Sequence, residues 1–211
     1  RSGLFEVAPG VWQARGYDIS NITFIAGAEG WVVIDPLTVD VTARACLELA
    51  NATRYGLACA VVTDVTDLAA VERLADTAFG WRGHVDILFN NAGVAMGGEV
   101  QTHTPEQWRW IMDVNVWGVV HGIEAFLPRL LAAERSAHIV NTSSFAGLVP
   151  NHLIAAYCTT KYAVMGLSEC LARELKPAGI GVSVLCPMIV DTPLPATSAR
   201  TRPVGPQDMD D

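Results

Sequence analysis

Tyr157 and Lys161 lie four positions apart in Tyr157-Cys158-Thr159-Thr160-Lys161, thirteen residues after Ser144. On a helix a four-residue offset stacks two side chains on one face, so an ammonium can bear on a phenol oxygen. A free phenol titrates near pH 10, and a nearby cation in a partly closed site can bring it toward neutrality, where it exchanges protons with a substrate oxygen. A hydroxyl such as Ser144 can hold that oxygen. Seen alone, the pair also suits a plain surface helix. The chain holds only two lysines, Lys161 and Lys176, so the pairing does not come from a lysine-rich background. The surrounding residues have to decide.

The elements that must position these groups are legible from residue 58 onward, where short apolar runs alternate with helical patterns, as in a parallel sheet covered by helices. The expected strands are Ala58 to Thr63, Val85 to Asn90, His138 to Thr142 and Gly181 to Cys186. They are rich in Val, Ile and Leu, as strands buried on both faces should be. Helices are expected over about 67–79, capped by an Asp; from Thr104 with Pro105 and Glu106 behind it; and over about 155–176, stopped by Pro177 and Gly179. The fold class is therefore α/β, a Rossmann-like doubly wound parallel sheet with its ligand crevice at the carboxyl ends of the strands. The first fifty residues read differently. Val11 to Ala14, Ile22 to Ala26 and Trp31 to Asp35 suggest an antiparallel β-hairpin segment, followed by a helix over about 39–50. The expected division is an amino-terminal segment, 1–52, and a Rossmann domain, 53–211.

Composition narrows the function. The 211 residues are 51% hydrophobic, enough for one sizeable core. A net charge of -8 without a basic cluster excludes nucleic acid as a partner. No apolar run is long enough to span a bilayer, and no basic then apolar leader opens the chain, so no membrane partner and no export are expected. Cys46, Cys59, Cys158, Cys170 and Cys186 are scattered and odd in number, which fits reduced thiols in a cytoplasmic protein.

Three further elements join the Tyr/Lys pair: Asn90-Asn91-Ala92-Gly93 at a strand end, Asn115 within an apolar helical pattern, and Ser143-Ser144 at the next strand end. Singly these are ordinary turn or backbone-bonding residues. In this order and spacing, and with Asp64-Val65 before them and Pro187 through Thr192-Pro193 after them, they resemble the short-chain dehydrogenase/reductase family over about residues 56–211. The resemblance implies a nicotinamide-dependent oxidoreductase, with NAD or NADP as cofactor and an alcohol or carbonyl compound as substrate. It implies a catalytic tetrad of Asn115, Ser144, Tyr157 and Lys161. Tyr157 would pass the proton, Lys161 would lower the tyrosine pKa and bond the nicotinamide ribose, Ser144 would hold the substrate oxygen, and Asn115 would anchor a water in the proton relay. Asp64 and Val65 would meet the adenine, Asn91, Ala92 and Gly93 would line the cofactor, and Val190 and Thr192 would contact the carboxamide.

Two departures qualify this. Pro187-Met188 replaces the usual Pro-Gly, and the family's opening TGxxxGxG turn, whose amide groups hold the pyrophosphate, has no counterpart. Ala26-Gly27-Ala28-Glu29-Gly30 has too few glycines and reads as a hairpin turn. The sheet is thus expected to be truncated. The opening residues Gly3 to Trp12, Ser20 to Ile25 and Gly30 to Leu37 instead resemble alkyl sulfatases of the metallo-β-lactamase fold, giving a chimeric sequence. That family's HxHxDH metal loop is missing: His84, His103, His121, His138 and His152 include no pair two or four apart, so no metal site is expected. Asp35 could end a strand where dinucleotide folds place the ribose-binding acid, or it could be a turn residue. The alternatives to the oxidoreductase are a non-catalytic Rossmann-fold binding or scaffold protein and a sulfate-ester hydrolase. The chain stops near the point where family members continue, leaving sheet edges to cover. A homo-oligomer pairing through helices 105–131 and 155–176 is therefore expected.

Overall fold

Three runs of Ile, Leu and Val too apolar for a solvated surface form a parallel sheet in the computed structural model. The structure describes residues 63–188 and 194–205, together with the backbone of four strands between residues 3 and 34. The chain divides into two units, residues 1–62 with 191–197 and residues 63–190 with 198–211. In the first unit β1 (Gly3–Ala8), β2 (Val11–Arg15), β3 (Ile22–Ala26) and β4 (Trp31–Ile34) form an antiparallel sheet in that order. Ala14 stands opposite Ile22, and Ala26 opposite Trp31. Asp35, the helix over 39–50 and most of the strand at 58–63 lie outside the described residues.

In the second unit α1 (Leu68–Arg82) begins at Asp67, whose carboxylate accepts the Ala69 N–H at 3.0 Å. It ends at Gly83, which takes a left-handed φ of 76° and returns its N–H to the Phe79 carbonyl. β5 (Ile87–Asn90), β6 (Ala137–Thr142) and β7 (Ile180–Leu185) pair in parallel in the order β5-β6-β7, with Asn90 beside Asn141 and Thr142 beside Leu185. Between β5 and β6 the chain is helical in two pieces, α2 (Pro105–Met112) and α3 (Gly118–Ala132). Thr104 caps α2 through a reciprocal pair with Gln107, a partner the sequence reading did not name: the Thr104 hydroxyl accepts the Gln107 N–H, and the Gln107 carboxamide accepts the Thr104 N–H. The join, Asp113–Trp117, is a π turn in which the Gly118 N–H reaches back five residues to the Asp113 carbonyl. The single helix expected over this stretch therefore carries one extra residue. α4 (Ala155–Leu175) passes into a short 3-10 turn at Lys176–Ala178, and α5 spans Leu194–Thr201.

The core lies against one face of the sheet, the face that carries Leu88, Ile139 and Ile180. Val71 and Ala75 of α1 and Ala125, Phe126 and Leu130 of α3 pack with Leu88, Ile139 and Ile180 of the strands and with Leu171 and Leu175 of α4. A second cluster of Val94, Met96, Ile111 and Ala156, with Trp108, Trp110, Val114 and Tyr157 against it, lies at the carboxyl end of the sheet. Trp108 and Trp110 thus serve the core, while Trp117 is half exposed.

Through the layers runs a buried polar line. Asn90 Nδ2 donates to Asn141 Oδ1 at 2.8 Å, Asn141 Nδ2 to Ser168 Oγ at 2.9 Å, and Ser168 Oγ to the Val164 carbonyl at 2.6 Å. Each link satisfies a group whose orphaning would cost about 1–3 kcal/mol. The line fixes how α4 lies on the sheet. It needs space at its other end, where a Cβ at Gly122 of α3 would run into the Asn90 carboxamide oxygen. Gly122→Ala is therefore expected to destabilise the fold by about 2 kcal/mol, although alanine is the better helix former. A thermal unfolding midpoint equal to or above that of the parent chain would contradict this packing.

Candidate active site

The three strand ends deliver their loops to one side of the sheet, and α4 lays Tyr157 and Lys161 across it. Lys161 is 4% exposed, and its Nζ donates to the Thr142 carbonyl at the end of β6 at 3.0 Å. The Nζ also stands over the Tyr157 ring, 5.5 Å from the centroid. Ser143 Oγ donates to the Lys161 carbonyl at 2.8 Å, so the helix backbone is tied to β6 at the same level. Ser144 begins the 3-10 turn Phe145–Gly147, and its Oγ accepts the Ala146 N–H at 3.1 Å. The Ser144 hydroxyl is hydrogen-bonded to the half-buried Tyr157 phenol.

Asn115 lies on the π turn and is 1% exposed. Its Oδ1 accepts the Val94 N–H at 2.7 Å, and its Nδ2 donates to the Val94 carbonyl at 2.9 Å and to Thr160 Oγ1 at 3.0 Å. Thr160 Oγ1 donates in turn to the Tyr157 carbonyl at 2.8 Å. The carboxamide thus binds the loop after β5 to the turn of α4 that carries the phenol. Both of its N–H groups are used, leaving the side chain no donor for a water.

Asn91 Oδ1 accepts Thr142 Oγ1 at 2.9 Å, which joins the loops after β5 and β6. Ala92 is exposed. At Gly93 a Cβ would stand 3.4 Å from both Lys161 Nζ and Asn115 Oδ1, so the absence of a side chain leaves the ammonium open to an incoming group. Among the described residues, one of the three Nζ donor positions is taken. A buried ammonium with free donors, reached past a bare glycine backbone, suits the hydroxyl groups of a nucleotide ribose. Asp64 is exposed, and its carboxylate accepts both the N–H and the hydroxyl of Thr66, at 2.9 and 2.8 Å. Val65 packs on α3, its carbonyl 2.8 Å from His121 Nδ1 and its side chain where a Cβ at Gly118 would stand. The structure therefore brings Asn91, Gly93, Asn115, Ser144, Tyr157 and Lys161 together and places Asp64 and Val65 on the turn before α1. Val190 and Thr192 lie outside the described residues.

The electrostatics differ from the sequence expectation. Burial is the main influence on Tyr157 and raises the phenol pKa above its ordinary value; the Ser144 hydrogen bond opposes this, and Cys158 adds to it. Burial also lowers Lys161 from 10.5 to about 8. Ser143, Thr142 and Thr160, to which the sequence reading gave no role, prove structural here and orient the pair. Their signal in the sequence was polarity out of place, in Asn141 to Ser144 at the end of an apolar strand and in Thr160 three residues after Tyr157.

Over residues 21–203 the sequence matches the family described as short chain dehydrogenase. The chain belongs to that family. It is 39% identical over 170 residues to the "Probable oxidoreductase EphD" of Mycobacterium tuberculosis, covering 81% of this chain and 28% of that protein. It is 39% identical over 191 residues to the 1-deoxy-11-beta-hydroxypentalenate dehydrogenase of Streptomyces avermitilis, covering 89% of this chain and 69% of that one. A solved short chain dehydrogenase/reductase from Burkholderia phymatum, in complex with NAD, is 41% identical with a TM-score of 0.73, over 78% of this chain and 59% of that one. The chain therefore spans just over a quarter of EphD and about three fifths of that structure. The family match begins well before residue 56, inside the segment read as alkyl-sulfatase-like, and these relatives give that second resemblance no support. Among the described residues no group of three or more His, Cys, Asp or Glu side chains could hold a metal ion, and no helix is long and apolar enough to cross a membrane.

The lysine supplies a pH test. With a folded pKa near 8 against 10.5 unfolded, the unfolded chain binds the extra proton between those values, so this group favours folding increasingly as pH rises from about 8 to 10.5. Below pH 8 its burial costs on the order of 3 kcal/mol. Because the chain has two lysines, side-chain NMR of labelled lysine should show one signal with a midpoint near pH 8 that vanishes in Lys161→Met. Two signals both titrating above pH 10 would exclude the buried ammonium.

Proposed function

We propose that this chain interconverts an alcohol and a carbonyl compound with NAD or NADP, and that Tyr157 is its proton donor and acceptor. The observation that carries this reading is the half-buried phenol with the Ser144 hydroxyl bonded to it and the Lys161 ammonium over its ring. A nicotinamide group, when bound, takes up or supplies the hydride at the substrate carbon. The chain does the rest. The Ala146 N–H bonded to Ser144 Oγ fixes that oxygen, leaving its proton to hold the substrate oxygen as negative charge builds there. Tyr157, kept protonated by burial, gives its proton to that oxygen in reduction and takes one back in oxidation. Lys161 has donors for the ribose and a positive charge that stabilises the transient phenolate. With both Asn115 side-chain N–H groups engaged, the side chain positions Tyr157 through Thr160.

We further infer that Asn91, Ala92 and Gly93 line the nicotinamide end, that Val190 and Thr192 reach its carboxamide, and that Asp64 and Val65 meet the adenine. Support for the first of these is the open approach to Lys161 past Gly93. Self-association in the cytoplasm fits the half-exposed Trp117, Leu131 and Tyr162 on the turn and helices expected to pair. The scaffold reading is the alternative, favoured by the missing glycine turn, each of whose amide-to-phosphate bonds would be worth about 1.5–3 kcal/mol. No observation favours the hydrolase.

Titration with NADH and with NADPH should show saturable binding below millimolar concentration. Tyr157→Phe should keep that binding and the thermal midpoint while lowering kcat by about a hundredfold to ten-thousandfold. Oxidation of the alcohol should accelerate with rising pH more than reduction of the carbonyl does, since only oxidation begins from the deprotonated phenol. A Tyr157→Phe variant as active as its parent would remove the assignment, and absence of binding at millimolar dinucleotide would leave the scaffold reading.

A further inference from the structure

The loops after β5, β6 and β7, which surround Ser144 and Tyr157, lack something the chain has elsewhere. The sequence is 17% charged, yet no Lys, Arg, Asp or Glu occurs in residues 87–98, 136–160 or 177–190. Apolar side chains stand in their place and are not packed away: Phe145 is 42% exposed, Leu148 50%, Val149 46%, Leu153 44% and Met188 71%. The backbone ties them into one rim. The Phe145 N–H donates to the Pro187 carbonyl at 2.9 Å, and the Leu148 and Val149 N–H groups both donate to the Phe145 carbonyl. On the other side of the site the Gly98 N–H donates to the Leu153 carbonyl at 2.8 Å.

Leu153 is held at a cost. Its φ of 61° lies in the left-handed region, which a leucine enters at roughly 1–2 kcal/mol and which only glycine visits freely. Gly98, at φ 133°, accepts the matching distortion across the bond. The strained backbone displays a large apolar side chain toward water, four residues before the proton donor. Such strain is commonly kept for a ligand.

We propose that this rim selects a neutral, largely hydrocarbon alcohol or ketone, and that Leu153 is a specificity-determining contact. The proposal rests on the oxidoreductase reading above for the place of the reacting oxygen. A carboxylated or phosphorylated substrate would bring a charge against residues 91–98, 143–154 and 186–190, whose only ionisable groups are His152 and the Cys186 thiol, with no guanidinium among them. A polyol would leave its hydroxyl groups against Phe145, Leu148 and Leu153. A fused or substituted ring covers the same surface with a favourable transfer free energy.

The test compares kcat/KM of the full chain, with NADH and NADPH, for cyclohexanone, 2-decalone and 4-oxocyclohexane-1-carboxylate, alongside equilibrium dialysis of the same three compounds. Decalone should exceed cyclohexanone, and cyclohexanone the carboxylate, each by about tenfold or more. Leu153→Asn keeps a residue that tolerates the left-handed backbone but removes the apolar contact. It should lower kcat/KM for decalone by a larger factor than for cyclohexanone, with the thermal midpoint kept. Met188→Lys should raise the carboxylate relative to cyclohexanone. Turnover that is equal for the neutral and carboxylated rings, or that favours the latter, overturns the inference and leaves the oxidoreductase standing. Selective retention of decalone in dialysis without any turnover does the reverse. Neither binding nor turnover of any of the three overturns both.

Discussion

The carboxamide of Asn115 is the point at which the halves of the site are joined. It meets both polar groups of the Val94 backbone, as a neighbouring strand would, and spends its remaining N–H on Thr160. Because it is 1% exposed, water cannot replace any of these bonds, and a shorter or apolar residue would orphan Val94 and Thr160 together. The loop that leaves Lys161 open at Gly93 and the helical turn that carries Tyr157 are thus held by one side chain. It is itself aimed by the π turn.

Burial governs the chemistry as well as the packing. It raises the phenol and lowers the ammonium, drawing two groups whose ordinary pKa values lie close together apart. The resting pair is therefore a protonated donor beside a cation that is costly to keep charged. A bound ribose offering oxygen atoms to Nζ would repay part of that cost, so dinucleotide and lysine charge favour each other.

Much of this was legible in the sequence, for physical reasons. Apolar runs long enough for one strand each marked β5, β6 and β7 to within one or two residues, but their burial on both faces was misread: Leu88, Ile139 and Ile180 enter the core while Ile87, Ser183 and Leu185 on the other face are exposed. Asp67 and Thr104 announced their helices, since a cap needs a short side chain with an acceptor. Tyr157 and Lys161 were visible through the helical period. What could not be read was anything set by a neighbour distant in sequence. The π turn differs from a straight helix by one residue and leaves the apolar pattern almost intact. Ser168 meets Asn141 and Gly122 yields to Asn90 across 27 and 32 positions, and no periodicity records either meeting. The direction of the Tyr157 shift was misjudged because proximity of a cation was weighed without the cost of enclosure. The amino-terminal segment misled by local likeness: its short apolar strands and glycine turns match alkyl sulfatases, while the family match that begins at residue 21 spans most of the chain.

The π turn has a further implication for how this gene can drift. Each residue advances an α-helix by about 100°, so α2 and α3 run out of phase by the residue accommodated between them. Deleting one residue anywhere in 113–117 would restore an unbroken helix and improve its local bonding, yet it would rotate either Asn115 out of the loop or the Ala125, Phe126 and Leu130 face off the sheet. Asn115 apart, substitutions along this stretch can be absorbed singly; a change of length cannot. The turn is in effect a reading frame written in three dimensions, and it should tolerate missense far better than it tolerates an in-frame codon lost or gained.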